Sequence, residues 1–203
     1  MILIPSSNYL DSEFILEFGM LPACAIPIMG FPLIKKQVES LIKKFPEEKI
    51  ILTLPADYRL SNFIKNITNK YDVDILYVNS SLHLLDVIRL AYLEYQDSAQ
   101  KSCIRILLGD TLIEDLPADN DVFCIAVPEF KYTYHAYKGQ SVYCGYYSMS
   151  NIECFENLIL ECDTFESLIT KYSHINGSQH VEVENWYDFG HPQMYYRARR
   201  QFL

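Results

Sequence analysis

Basic charge is scarce in this chain. Lys and Arg number 17 against 26 Asp and Glu, a formal net charge of −9. That balance excludes a general nucleic-acid-binding surface, because phosphate contacts need clustered Lys and Arg. It leaves room for a small nucleotide held by backbone amides and a metal. Long apolar runs are absent too: Pro, Lys, Glu or Asp interrupts each one before the roughly 18 residues that a membrane span requires. Met1-Ile2-Leu3-Ile4-Pro5 has no basic n-region, so it reads as a buried strand rather than a signal peptide. Cys24, Cys103, Cys124, Cys144, Cys154 and Cys162 form no C-x-x-C pair. Such spacing argues against a zinc site or a disulfide framework and fits buried reduced thiols in a cytoplasmic protein. Outside secretion, the two N-x-[ST] sequons at Asn66 and Asn176 carry no weight. G-x-S-x-G and H-E-x-x-H are missing, which leaves a serine hydrolase or zinc protease without support. No repeat or low-complexity linker breaks the chain.

What is present is a core-forming composition. Half of the 203 residues are hydrophobic and 21% are charged, which fits one globular domain. Short apolar runs alternate with helical patterns over the first 125 residues. Strands are expected at 1–4, 49–54, 73–78, 103–108 and 122–127, and helices at 32–45, 60–71 and 82–95. The 32–45 segment is amphipathic, with Leu33, Val38, Leu41 and Ile42 near one face and Lys35, Lys36, Lys43 and Lys44 largely outside it. This alternation implies βαβ units, hence a three-layer α/β/α fold around a mixed, mainly parallel sheet. From about residue 128 Tyr and Phe become frequent. Strands at 131–134 and 141–149 read as antiparallel. Helices follow at 151–161 and 164–172, then a strand at 179–184 and a last helix at 192–201.

Ligands of such folds gather at the carboxyl ends of the strands. Those ends carry Pro5-Ser6-Ser7, Pro55, Asn79-Ser80-Ser81 and Gly109-Asp110. In Leu107-Leu108-Gly109-Asp110-Thr111 an acidic residue directly follows an apolar strand, and the glycine before it permits close backbone approach. A carboxylate there suits Mg²⁺ bridging nucleotide phosphates; the structural alternative is a helix N-cap. Asn185-Trp186-Tyr187-Asp188-Phe189-Gly190-His191 holds the only Trp of the chain, and Asp188 sits there between a strand and a helix. It reads either as a second metal ligand or as an N-cap beside a packed Trp. If the strands preceding Asp110 and Asp188 are neighbours, two carboxylates converge. Their mutual repulsion is then resolved by a bound cation.

Leu21-Pro22-Ala23 with Pro27-Ile28-Met29-Gly30-Phe31-Pro32-Leu33-Ile34, then Leu108-Gly109-Asp110, Cys144-Gly145-Tyr146-Tyr147 and Trp186-Tyr187-Asp188-Phe189-Gly190, occur in this order across nearly the whole chain. Together they resemble the L-P-K…P-I-x-G-K-P-L-I, L-G-D, A-G-x-Y and W-x-D-T-G segments of the sugar-phosphate nucleotidyltransferases, glucose-1-phosphate thymidylyltransferase among them. The resemblance implies that residues 1–128 form a nucleotide-binding half and 129–203 an acceptor-binding part of one domain. It implies Asp110 and Asp188 as catalytic Mg²⁺ ligands. Ser6, Ser7, Pro55, Ser81 and Gly109 fall near the nucleotide, and Gly145, Tyr147 and Lys138 near the acceptor. Its reaction joins a sugar phosphate or similar small phosphate to the α-phosphorus of a nucleoside triphosphate and releases pyrophosphate. Supply of surface polysaccharide precursors is the implied context.

The chain departs from that pattern where charge matters. The glycine-rich G-G-x-G-T-R loop is Ser6-Ser7-Asn8-Tyr9-Leu10 here, the Lys of L-P-K is Ala23 and the Lys of G-K-P is Phe31. The glycine after the third strand is replaced around Ser80-Ser81, and no E-K-P segment is recognisable. Either Lys35, Lys36, Arg59 or Arg197 substitutes, or a further domain or a neighbouring subunit supplies the cation, or the site binds without turnover. A lysine on a solvated loop is the plain reading of Lys138. His191 stands where it touches a ligand or caps the last helix, and His83 carries no assigned role. The Tyr-rich 132–147 stretch suits packing of a small antiparallel layer more than base stacking, given the acidic charge. Two other readings compete with the transferase: a catalytically degenerate binding or regulatory domain, and a glycosyltransferase of the related nucleotide-sugar fold. The latter usually carries D-x-D, whereas Gly109-Asp110-Thr111 offers one carboxylate.

Overall fold

The computed structural model describes residues 1–97, 102–128 and 135–201. In chain order the elements are β1 (Ile2–Pro5), α1 (Ser12–Phe18), a 3-10 turn (Ala23–Ala25), β2 (Pro27–Ile28), β3 (Phe31–Pro32), α2 (Leu33–Lys44), β4 (Ile50–Pro55), α3 (Asn62–Lys70), β5 (Asp74–Val78) and α4 (Leu84–Tyr95). They continue with β6 (Ile104–Leu107), β7 (Thr111–Ile113), β8 (Val122–Ala126), β9 (Val142–Met149), α5 (Ile152–Glu161), α6 (Phe165–Asn176), β10 (Gln179–Glu182), β11 (Trp186–Asp188) and α7 (Pro192–Gln201).

Among the described residues the central sheet has seven strands, in the order β10-β8-β9-β6-β1-β4-β5. Every neighbouring pair is parallel except those made by β9, which runs antiparallel to both β6 and β8. The expected mainly parallel α/β/α architecture is therefore observed. The antiparallel strand expected at 141–149 is β9; the one expected at 131–134 lies outside the described residues. Among the described residues, no helix is long and apolar enough to cross a membrane.

Alternation along the strands builds two cores. In β1, Ile2 and Ile4 face the side covered by α2 and α3, and Leu3 faces the side covered by α4, α5 and α6. Tyr146 and Tyr147 on β9 divide between the same two faces. Both faces are covered, so the central strands β1, β4, β6 and β8 are mostly apolar and fully buried. Five of the six cysteines are buried free thiols in this interior. A third core joins the 10–33 segment to α7, through Phe14, Ile26, Leu33, Leu112, Phe189 and Tyr195.

Capping explains several boundaries. The Ser61 hydroxyl accepts from the Ile64 amide, so α3 starts at Asn62 rather than at residue 60. Asn151 and Thr164 cap α5 and α6 in the same way. Gly177, in the left-handed region at φ 68°, ends α6. Sequence patterning leaves α1 and β7 unassigned. Each is short, and neither offers a full period of apolar residues against the main sheet.

Asp121 ties the second half together. Its Oδ1 accepts from the Tyr172 hydroxyl at 2.6 Å and the Ser150 amide at 2.8 Å, and the Ser150 hydroxyl donates to Oδ2. Burial opposes ionisation of this carboxyl, but the Ser150 and Tyr172 hydrogen bonds outweigh it and hold its pKa below the usual range. A depressed carboxylate pKa stabilises the fold above the unfolded-state value near about 4, and the contribution is lost as pH falls through the folded value. Asp121→Asn is accordingly expected to cost about 1–3 kcal/mol at neutral pH. Urea denaturation at about pH 7 and about pH 3 checks this: the gap to wild type narrows in acid.

Candidate active site

The site begins where β6 ends. Leu108, Gly109 and Asp110 turn the chain out of the sheet and into β7. The Leu108 amide donates to the Gly145 carbonyl at 2.9 Å and the Gly109 amide to the Pro5 carbonyl at 3.0 Å. From the buried face of α2, Gln37 donates through Nε2 to the carbonyls of Leu108 and Thr111, at 3.0 and 2.8 Å. Glycine is required at 109 for space. A Cβ there would lie 2.5 Å from Ser6 Cβ and 2.7 Å from the Pro5 carbonyl oxygen. Gly145 has both constraints, a φ of 92° and a virtual Cβ 2.5 Å from Thr111 Oγ1.

Asp188 reaches Asp110 by a route the sequence does not show. The strand preceding it, β10, is at the sheet edge, with β8 and β9 between it and β6. Proximity of those two strands is therefore not the cause. Instead β11 pairs antiparallel with β7 in a separate two-stranded ribbon, with Asp188 opposite Thr111 and Trp186 opposite Ile113. The Phe189 amide donates to the Asp110 carbonyl at 2.7 Å, and the Phe189 ring is buried in the third core. Neither aspartate is a helix N-cap. A strand follows Asp110, and α7 starts four residues after Asp188.

Asp188 is 5% exposed. Its Oδ1 accepts from the Gly190 amide at 2.7 Å, and its Oδ2 lies 2.5 Å from His191 Nδ1. A Cβ on Gly190 would sit 2.7 Å from Asp110 Oδ2 and 3.2 Å from Asp188 Oδ1. The two carboxylates thus converge over a position where only glycine leaves room. Burial and the Asp188 charge push the Asp110 carboxyl up to about 6, against its own backbone amide, the Thr111 hydroxyl and the His191 charge. The hydrogen bond to Asp188 holds the His191 pKa above its ordinary value, against burial.

Two hard oxygen donors close together fit Mg²⁺ or Mn²⁺. Among the described residues no three His, Cys, Asp or Glu side chains are grouped to hold a metal by themselves. An ion at this pair would complete its shell with water and ligand oxygens, the usual habit of Mg²⁺.

Beside Asp110 a cavity is lined by Ser6, Ser7, Asn8, Ala23 and Gly109, with Leu84 and Val87 of α4 on one wall. Ser6, Ser7, Gly109 and Asp110 are therefore brought together. Ser6 is committed structurally, because its hydroxyl accepts from the Cys24 amide at 2.9 Å and its amide donates to Thr53 Oγ1 at 3.1 Å. Pro55 is buried at the end of β4, and Ser81 is exposed after β5 with its amide and hydroxyl both on Asn79 Oδ1; neither lines this cavity. Gly145 lies beneath Thr111. Tyr147 is packed in the core against Phe123 and Phe165, at ring distances of 5.4 and 5.0 Å. Lys138 is exposed beside the Tyr137 ring.

None of the four candidate cations lines the Asp110 cavity. Lys35 pairs with Glu39 and covers the Phe31 ring, Arg59 is exposed, and Arg197 lines a second cavity with Asn185, Trp186 and Met194. Sequence reading missed Gln37 as an anchor and gave His191 no definite partner. A polar residue between Ile34 and Leu41 on the apolar face of α2 was the available signal for Gln37.

No protein-family model matches the chain, and no curated protein matches it in sequence. Solved structures do match in fold. A nucleoside-diphosphate-sugar pyrophosphorylase from Vibrio cholerae RC9 superposes with TM-score 0.74 at 13% identity, over 99% of this chain and all of that one. A UDP-glucose pyrophosphorylase solved with UDP-glucose gives 0.64 at 13% identity, over 99% of this chain and 97% of that one. The 4-diphosphocytidyl-2C-methyl-D-erythritol synthase of Anaerococcus prevotii gives 0.64 at 14% identity, over 98% and 96%.

Two outcomes follow from this geometry. If Asp110 and Asp188 hold a divalent ion, it binds the ionised carboxylate, and Mn²⁺ affinity is expected to fall roughly tenfold between about pH 7.5 and pH 5, as Asp110 takes up its proton. Isothermal titration at the two pH values measures it. Gly190→Ala places a methyl group against Asp110 Oδ2 and is expected to weaken Mn²⁺ binding roughly tenfold or more. Its melting temperature should stay near that of wild type, since a carboxylate rather than backbone must move. The chain has the fold of the sugar-phosphate nucleotidyltransferases.

Proposed function

We propose that this protein is a Mg²⁺-dependent nucleotidyltransferase that joins a nucleoside triphosphate to a sugar phosphate or similar small phosphate. The carrying observation is the convergence of Asp110 and Asp188, from two separate elements, over Gly190. The shared fold with pyrophosphorylases and a cytidylyl-type synthase supports the reading. In the reaction an acceptor phosphate oxygen bonds to the α-phosphorus while the bond from that phosphorus to the bridging oxygen breaks, and pyrophosphate leaves. A bound Mg²⁺ would neutralise charge on the phosphates and on the leaving oxygen. Asp110 and Asp188 are the residues that would hold it.

The chain itself supplies position. The Gln37 and Gly145 hydrogen bonds fix the 108–111 turn, so the Asp110 carboxylate stands at one place beside the cavity. Ser6, Ser7 and Asn8 are the polar side chains there for phosphate or ribose oxygens; the Ser6 hydroxyl accepts from the Cys24 amide and keeps its hydrogen to donate. The product class would be a nucleotide-activated sugar, of the kind consumed in surface polysaccharide assembly.

A second reading has one observation in its favour. Among the described residues no Lys or Arg lines the Asp110 cavity, and loss of such a group commonly costs several kcal/mol of transition-state stabilisation. A domain that binds nucleotide without turnover would look the same. Thermal shift with each triphosphate and Mg²⁺, followed by pyrophosphate release with sugar 1-phosphates, separates the two. The transferase reading expects pyrophosphate release that drops about 100-fold or more in Asp110→Asn and Asp188→Asn. A Mg²⁺-dependent shift with no release favours the binding domain, and no shift with any triphosphate removes both.

A further inference from the structure

His191 is the group that the carboxylate pair leans on, and this follows from how it is held. Its backbone belongs to the start of α7: the His191 carbonyl accepts from the Tyr195 amide at 2.9 Å. Tyr195 is in turn buried in the third core, and its hydroxyl donates to the Pro27 carbonyl at 2.9 Å. The imidazole is therefore carried by a helix fixed at its first turn. His191 Nδ1 lies 2.5 Å from Asp188 Oδ2; with the carboxylate in the ionised form that holds a metal ion, Nδ1 is the donor and Oδ2 the acceptor. On the other oxygen the Gly190 amide donates at 2.7 Å. One donor on each oxygen removes the rotation of the carboxylate about its last torsion. The orientation so fixed directs Oδ1 to the point over Gly190 that Asp110 Oδ2 also faces.

Resting on the metal reading above, we propose that His191 is a positioning residue that locks the Asp188 carboxylate in its ion-binding orientation. The role is distinct from that of the two aspartates. In this role His191 acts through Asp188: it sets the aim of a group that would hold the ion. Metal-binding side chains commonly depend on such outer hydrogen bonds, and their loss typically weakens metal affinity 10- to 100-fold.

The test uses Mn²⁺ alone, with no nucleotide, counted as free ion by electron paramagnetic resonance against the full chain. Wild type, Asp188→Asn, His191→Ala, His191→Asn and His191→Gln are compared, with melting temperature recorded for each. The amide nitrogen of Asn stands where Nδ1 does, two bonds from Cβ, whereas that of Gln is one bond further out. The proposal expects Asp188→Asn to abolish binding and His191→Ala and His191→Gln to weaken it about tenfold or more. His191→Asn should restore it to within about threefold of wild type. Binding that is sensitive to Asp188→Asn but unchanged in His191→Ala and His191→Gln overturns the His191 assignment and leaves the metal reading standing. Equal losses in the Asn and Gln variants, both folded, overturn it as well, because the hydrogen bond would then not be what matters. If His191→Ala does not fold, the Asn and Gln pair decides alone. No Mn²⁺ binding by wild type, or binding indifferent to Asp188→Asn, overturns the metal reading and the proposal with it.

Discussion

The three-residue pairing of β7 with β11 is the contact on which the candidate site depends. It sets Asp188 opposite Thr111 and so beside Asp110, although two strands of the main sheet lie between the segments leading to each aspartate. A ribbon this short has little stability of its own. What holds it is on either side. Gln37 and Gly145 grip the turn before β7, and Phe189, Leu112 and Tyr195 bury the far side in a small apolar core.

That small core also explains why the 10–33 segment and α7 matter to a site they barely line. Leu10, Phe14, Ile26 and Leu33 pack against α7 and β7, and the Ser6 hydroxyl is tied to the Cys24 amide. The turn after β1, the turn after β6 and the start of α7 are thereby held at one edge of the sheet. Chemistry that needs oxygen atoms held to a fraction of an ångström is better served by such cross-ties than by any single loop.

Charge sets a second constraint. Two carboxylates in a half-buried setting raise each other's cost of ionisation, and Asp110 shows it. His191 offsets part of that charge from outside, while the adjoining cavity offers Ser6, Ser7 and Asn8 but, among the described residues, no Lys or Arg. On the proposed reading, the site suits a cation more than a bare phosphate. A phosphate ligand would have to arrive with its metal ion, or meet basic groups from elsewhere.

The layers are legible in residue order alone. Uninterrupted Ile, Leu and Val in short runs, alternating with amphipathic segments such as 33–44, are the direct consequence of a sheet covered on both faces. Residue order also marked Asp110, because an acidic residue after Gly at a strand end is readable within five residues. The L-G-D and W-x-D segments pointed to both aspartates together. How they meet is settled by the packed fold. The β7–β11 pairing involves too few residues to leave a periodic trace, and pairing between segments some 75 residues apart has no local signature. Burial decided the rest: Tyr146 and Tyr147 are both buried, one in each core, because helices cover both faces of β9, and Gly145 and Gly190 are glycines for the sake of Thr111 and Asp110, which chain distance conceals and space alone reveals.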